Sequence, residues 1–138
     1  MIESPSLLIT DDDPAFRETL RGVFEPEGYR TLLAGDGEEA LGIVRTETVH
    51  LVLLDMHMPK LTGLETLRRV RQLRRPVPCI LLSAALDELI VEQARLLEAF
   101  SVLAKPVTRG QLITVVRQAL ARTYDWHLPG EGTTWGNG

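Results

Sequence analysis

The stretch VHLVLLDMHMPK, residues 49–60, decides the fold. Apart from His50 its first six residues are all apolar, and the run stops on Asp55 before a loop. A strand that is apolar at consecutive positions is buried on both faces, which calls for a parallel sheet with helices above and below it. The flanking sequence supplies those helices. DGEEALGIVRTE (36–47) precedes it with Asp36 as a cap, and GLETLRRVRQLRR (63–75) follows, both with helical periodicity.

Working outward, the same alternation continues to both ends. Upstream, SLLIT (6–10) reads as a first strand and PAFRETLRGVFEPEGY (14–29) as a helix. Pro14 opens that helix, Phe16, Leu20, Val23 and Phe24 recur along it, and Glu27-Gly28 closes it. YRTLLAG (29–35) is the second strand. Downstream come VPCILLS (77–83) as a strand, LDELIVEQARLLEAF (86–100) as a helix, SVLAK (101–105) as a strand stopped by Pro106, and TRGQLITVVRQALART (108–123) as a helix. Five strands alternating with five helices through short connections predict an α/β, doubly wound, five-stranded parallel sheet in the order 2-1-3-4-5. Residues 1–123 form one domain in this reading, and YDWHLPGEGTTWGNG (124–138) is a flexible tail.

Composition sets outer bounds. With 138 residues, 44% apolar and 25% charged, the chain has the profile of a globular protein with a core of its own. The 19 acids against 15 bases give a net charge of -4, which argues against general nucleic-acid binding. A single cysteine, Cys79, excludes an intrachain disulfide and reads as an inert buried thiol. No apolar run approaches membrane-spanning length and no signal peptide is visible, so the expected location is cytoplasmic.

In an open parallel sheet, ligands bind beyond the carboxyl ends of the strands. Strand 1 ends in Asp11 and Asp12, strand 3 in Asp55, strand 4 in Ser83 and strand 5 in Lys105. Three carboxylates repel one another unless a proton or a cation intervenes, and an all-oxygen set selects a hard cation, Mg²⁺ first. Mg²⁺ keeps waters and is commonly completed by a phosphate oxygen, so a phosphoryl group is the implied missing ligand. Asp55, central among the strand ends, is then the candidate nucleophile, with Lys105 and Ser83 on the phosphoryl oxygens.

ITDDDPAFRE, LVLLDMHMPKLTGLE, CILLSA and VLAKPV, in this order and spacing, resemble the receiver domain of two-component response regulators over residues 4 to about 122. The resemblance implies a flavodoxin-like (βα)5 fold with Asp55 as phosphoacceptor. It also implies Asp11 and Asp12 at the Mg²⁺ site, the His57 backbone carbonyl as a further metal ligand, and a cis peptide between Lys105 and Pro106. The implied donor is a histidine kinase or a histidine phosphotransfer protein. The implied outputs are a downstream partner or output domain, reached through the face of helix 4, strand 5 and helix 5, and a homodimer. Such a domain modifies itself and turns over no external substrate, binds no nucleic acid directly and enters no membrane. The resemblance also says that a side chain at the His57 position influences hydrolysis of the acyl phosphate.

Two features depart from the family pattern. Val102 stands where an aromatic switch residue is common, and that role does not transfer to Phe100. Glu98-Ala99 replaces the usual Gly-Ala pair, so helix 4 is expected to run on or fray.

Blander readings stand beside the sharp ones. Asp13 reads as an N-cap, the arginines of LRRVRQLRR as a solvated helix face, and His50 and His127 as surface residues. The apolar residues Ile90, Val91, Leu96 and Leu97 fit either core or a partner surface, and Trp126 and Trp135 either partner anchors or incidental tail residues. Two rival functions remain: a phosphorylation-independent interaction module, and an aspartyl-phosphate hydrolase of the haloacid dehalogenase type. The hydrolase needs a second acid two residues after the nucleophile, where this chain has His57.

Overall fold

A computed structural model describes residues 2–128. Five parallel strands, β1 (Ser6–Thr10), β2 (Arg30–Ala34), β3 (Leu51–Asp55), β4 (Cys79–Ser83) and β5 (Ser101–Ala104), form one sheet in the order β2-β1-β3-β4-β5. The helices are α1 (Pro14–Phe24), α2 (Gly37–Thr46), α3 (Gly63–Gln72), α4 (Glu88–Leu96) and α5 (Arg109–Tyr124). This is the expected architecture.

Strand alternation builds two cores, one on each face of the sheet. Leu7, Ile9, Leu51, Leu53, Ile80 and Leu82 pack against Leu20 and Phe24 of α1 and Leu112, Val116 and Leu120 of α5. Leu8, Val52, Leu54, Cys79 and Leu81 face the other way, onto Leu41 and Val44 of α2, Leu67 and Val70 of α3, and Ala94 of α4. Every residue of β1, β3 and β4 is buried, which is why residues 51–54 read as continuously apolar. The register Thr10↔Leu54 and Asp55↔Leu82 brings the carboxyl ends of these three strands level, so the residues that follow share one edge.

Local chemistry sets the helix starts. Asp13 accepts the Ala15 N–H, Asp36 that of Glu39, and Asp87 that of Ile90. Thr62 with Glu65, and Thr108 with Gln111, form reciprocal capping boxes on α3 and α5.

Four sequence readings change. Helix α4 does not run to residue 100: Leu97 caps it and Glu98 adopts the left-handed conformation (φ 58) usually left to glycine. Tyr124 and Trp126 are part of the packed domain: α5 includes Tyr124, and Trp126 packs at 5.7 Å from Tyr29 while donating to the Ile2 carbonyl at 2.9 Å. Residues 129–138, with Trp135, lie outside the described residues. His50 is no simple surface residue: its Nδ1 accepts the Ser6 N–H at 2.9 Å and its ring meets Tyr124 edge-on. Arg71 leaves the solvated arginine face and donates to the carbonyls of Leu97, Val77 and Glu98.

Candidate functional site

Asp55 is the last residue of β3, Ser83 the last of β4, and Asp11, Asp12 and Lys105 follow β1 and β5 directly. Level strand ends therefore bring Asp11, Asp12, Asp55 and Lys105 together, while Ser83 ends the neighbouring strand on the same edge with its hydroxyl turned to Ala85 and His57. Ligating oxygens of Asp11, Asp12 and Asp55 lie within 4.8 Å of one another. Asp11 and Asp55 are buried, at 2% and 5% exposure, whereas Asp12 is exposed. The Lys105 Nζ sits 2.9 Å from Asp55 Oδ1 and 3.3 Å from Asp11 Oδ2, and 4.7 Å from the centre of the Phe16 ring. An open depression of about 540 Å³ above them is bounded by Phe16, Ala84, Pro106 and Val107. The Lys105–Pro106 peptide bond is cis.

The electrostatics show an incomplete balance. Burial raises the Asp11 pKa; the Asp55 charge adds to this, and the Asp13 N–H and Lys105 only partly oppose it. Burial alone would lower the Lys105 pKa, but its hydrogen bond to Asp55 and the charges of Asp11 and Asp55 outweigh that and raise it. One ammonium thus contacts two of the three carboxylates. An oxygen-only donor set, two buried acids and one solvated acid beside an open depression fit a hard divalent cation that keeps part of its water shell.

Asp11 is fixed on every polar atom. Its Oδ1 accepts the Asp13 N–H at 2.9 Å, its own N–H donates to Ala34 O, and its carbonyl accepts Arg17 Nη1 at 2.6 Å. Behind Asp55, Gly63 closes against the strand end: a Cβ there would lie 2.6 Å from the Asp55 carbonyl oxygen and 2.9 Å from Met56 Cα. Only glycine fits that approach.

Ser83 is fully buried and its hydroxyl is engaged. It donates to the Ala85 carbonyl at 2.9 Å, accepts the Ala85 N–H, and stands 3.4 Å from His57 Nε2. Val102 packs into the α2–α3–α4 core, whereas Phe100, just ahead of β5, packs into the opposite layer. The two side chains do not share a face, so Phe100 is not placed to substitute for an aromatic at 102.

Sequence reasoning missed Arg17 and the second role of Phe16. Both sit in the first turns of α1, where Phe16 reads as one more apolar residue of the stripe. Arg17 carried no signal, since its partner is a backbone carbonyl.

The chain is a doubly wound α/β domain with an acidic cluster and a lysine at the carboxyl edge of its parallel sheet, and comparison with known proteins makes that class specific. The response regulator receiver domain family matches residues 7–117. The chain is 34% identical over 114 residues to sporulation initiation phosphotransferase F of Bacillus subtilis, covering 83% of this chain and 92% of that protein. It is 35% identical over 118 residues to the transcriptional regulatory protein CpxR of Escherichia coli, covering 86% of this chain but 50% of CpxR. Among solved structures, the CheX-CheY-BeF3-Mg+2 complex from Borrelia burgdorferi superposes with a TM-score of 0.79 at 27% identity, covering 83% of this chain and 87% of the other. The chain belongs to the response regulator receiver domain family of two-component systems. It spans about half the length of CpxR-type relatives and nearly all of the phosphotransferase.

Proposed function

We propose that Asp55 accepts a phosphoryl group from a histidine kinase or a histidine phosphotransfer protein, and that the modified domain passes the signal on by a change of conformation. The observation that carries this reading is the convergence of Asp11, Asp12 and Lys105 on Asp55, with ligand atoms inside 4.8 Å and the ammonium at 2.9 Å. A relative of this fold is known as a complex with BeF3 and Mg, consistent with the same chemistry here.

Asp11, Asp12, Asp55 and the His57 backbone carbonyl would hold Mg²⁺, which when bound neutralises charge on the phosphoryl oxygens. The Asp55 carboxylate oxygen attacks phosphorus, forming an O–P bond as the N–P bond of the donor imidazole breaks and the imidazole leaves with the bond's electron pair. The new anion offers Lys105 a better partner than the carboxylate it holds at rest. Ser83 must exchange its Ala85 acceptor for a phosphoryl oxygen, so modification and the position of residues 83–85 are linked. The exposed apolar side chains Leu86, Leu89, Val91 and Leu96, on and just ahead of α4, support a reading in which the face of α4, β5 and α5 receives a downstream protein, an output domain or a second copy. The domain turns over no external substrate. Among the described residues no helix is long and apolar enough to cross a membrane; we place the protein in the cytoplasm.

The test is intact mass after incubation with Mg²⁺ and a small acyl or amido phosphate donor. One phosphoryl adduct, absent in Asp55→Asn, is expected. No adduct with any donor would favour an interaction module independent of phosphorylation, a role that the non-aromatic Val102 suits. Steady consumption of phosphate esters would point to a hydrolase.

A further inference from the structure

Helix α4 is the helix least committed to the core. Ala94, near its C-terminal end, is its one fully buried side chain, while Leu89 and Val91 in its first half are 66% and 44% exposed. Its N-terminal end leads directly from Ser83 through Ala85 and Leu86. In that half only the partly buried Ile90 packs against the core.

The C-terminal end is held by a different means. Glu98 sits in a left-handed conformation, sterically costly for a residue with a Cβ, and closes the helix by donating to Arg95 O while Ala99 donates to Ala94 O. The carbonyls of Leu97 and Glu98 are taken up by one side chain from another helix. Arg71, on the last turn of α3, donates Nε to Leu97 O at 2.9 Å and Nη2 to Glu98 O at 3.0 Å. Its Nη1 donates to Val77 O at 2.8 Å, just ahead of β4. A rigid planar fork thereby fastens the turn after α4 to the turn before β4. Lysine, a compact point charge, could not span three carbonyls in this way.

We propose that Arg71 is the fixed pivot of α4. The helix is pinned at Leu97 and Glu98 and held near its Ser83 end by the Ile90 side chain alone, so a displacement of residues 83–85 swings the half that carries Leu89 and Val91 about a stationary C-terminus. The pin stands on the resting geometry alone; the displacement that drives the swing rests on the phosphoryl reading of the site.

Hydrogen exchange by mass spectrometry on the full chain tests both parts. Without any ligand, Arg71→Met and Arg71→Lys should speed exchange at residues 97–99 by roughly tenfold or more, with the β3 amides as a reference for global stability. Unchanged exchange at 97–99 in both variants would overturn the pin. With Mg²⁺ and beryllofluoride, the wild type should change at 84–91 and not at 97–99, and in Arg71→Met the change should reach 97–99. A wild-type change spread evenly along α4 would overturn the pivot. A wild type that responds nowhere, even at Met56 beside Asp55, would sink the phosphoryl reading instead, and the ligand-free comparison would still decide the pin.

Discussion

Replacing Lys105 by Met removes the one ammonium held between two buried carboxylates, at 2.9 Å from Asp55 and 3.3 Å from Asp11. Breaking a fully buried ion pair by deleting one partner costs about 3–5 kcal/mol. Here the acids are buried but the Lys105 side chain is 26% exposed. Water screening brings the expected loss to about 2 kcal/mol, or roughly 6–10 °C in Tm for a domain of this size.

The deficit should depend on metal and on pH. Lys105 has a raised pKa, so its contribution is fully present below the ordinary lysine value and is lost as pH rises through the folded value. Asp11 has a raised pKa, so its unfavourable charge appears only as pH rises through a window above the ordinary aspartate value. The gap between wild type and Lys105→Met should therefore stay level from neutral pH to about pH 9 and narrow in acid as Asp11 takes a proton. Mg²⁺ should stabilise the variant more than the wild type, because the ion replaces the missing charge. Urea denaturation at pH 7 in chelator and in Mg²⁺ measures all of this. A variant as stable as the wild type in chelator, or an equal Mg²⁺ gain in both, would refute the reasoning.

Gly63→Ala should cost about 1–3 kcal/mol by forcing a Cβ onto the Asp55 carbonyl, and should slow phosphoryl uptake as well, measured by denaturation and intact mass. His50 has its pKa lowered by burial and accepts the Ser6 N–H, so it stabilises the fold when neutral. That contribution is complete above the ordinary histidine value and is lost as pH falls through the folded value, and His50→Gln should flatten the dependence of the urea midpoint on pH across this range. Trp126→Ala should cost about 2 kcal/mol through loss of the Tyr29 contact and the Ile2 hydrogen bond, seen as a lowered thermal midpoint.

The fold was legible because apolar periodicity and the strand-terminal acids point the same way. β1, β3 and β4 are buried at every position, and in β3 and β4 an apolar run that stops on Asp55 or Ser83 is legible without tertiary information. Asp55 and its neighbours could be grouped because parallel topology alone puts strand ends on one edge. What stayed hidden depends on backbone carbonyls and on contacts distant in sequence. Arg71 looks like its neighbours in LRRVRQLRR, and only the turn at Leu97–Glu98 singles it out. The same turn ends α4 earlier than the sequence suggests: Glu98 takes the left-handed conformation usual for glycine, and its carbonyl accepts from Arg71. His50 and Trp126 were misjudged for the same reason, since Ser6, Tyr124, Tyr29 and Ile2 come near them only in the folded chain.

The central claim is that Asp55 carries the phosphoryl group. Reduction with borohydride after treatment with Mg²⁺ and a phosphoryl donor converts an aspartyl phosphate to homoserine, and peptide mapping then locates the residue. The account predicts homoserine at position 55 alone. Homoserine at Asp11, Asp12 or Asp13, or an adduct that resists reduction, would contradict it.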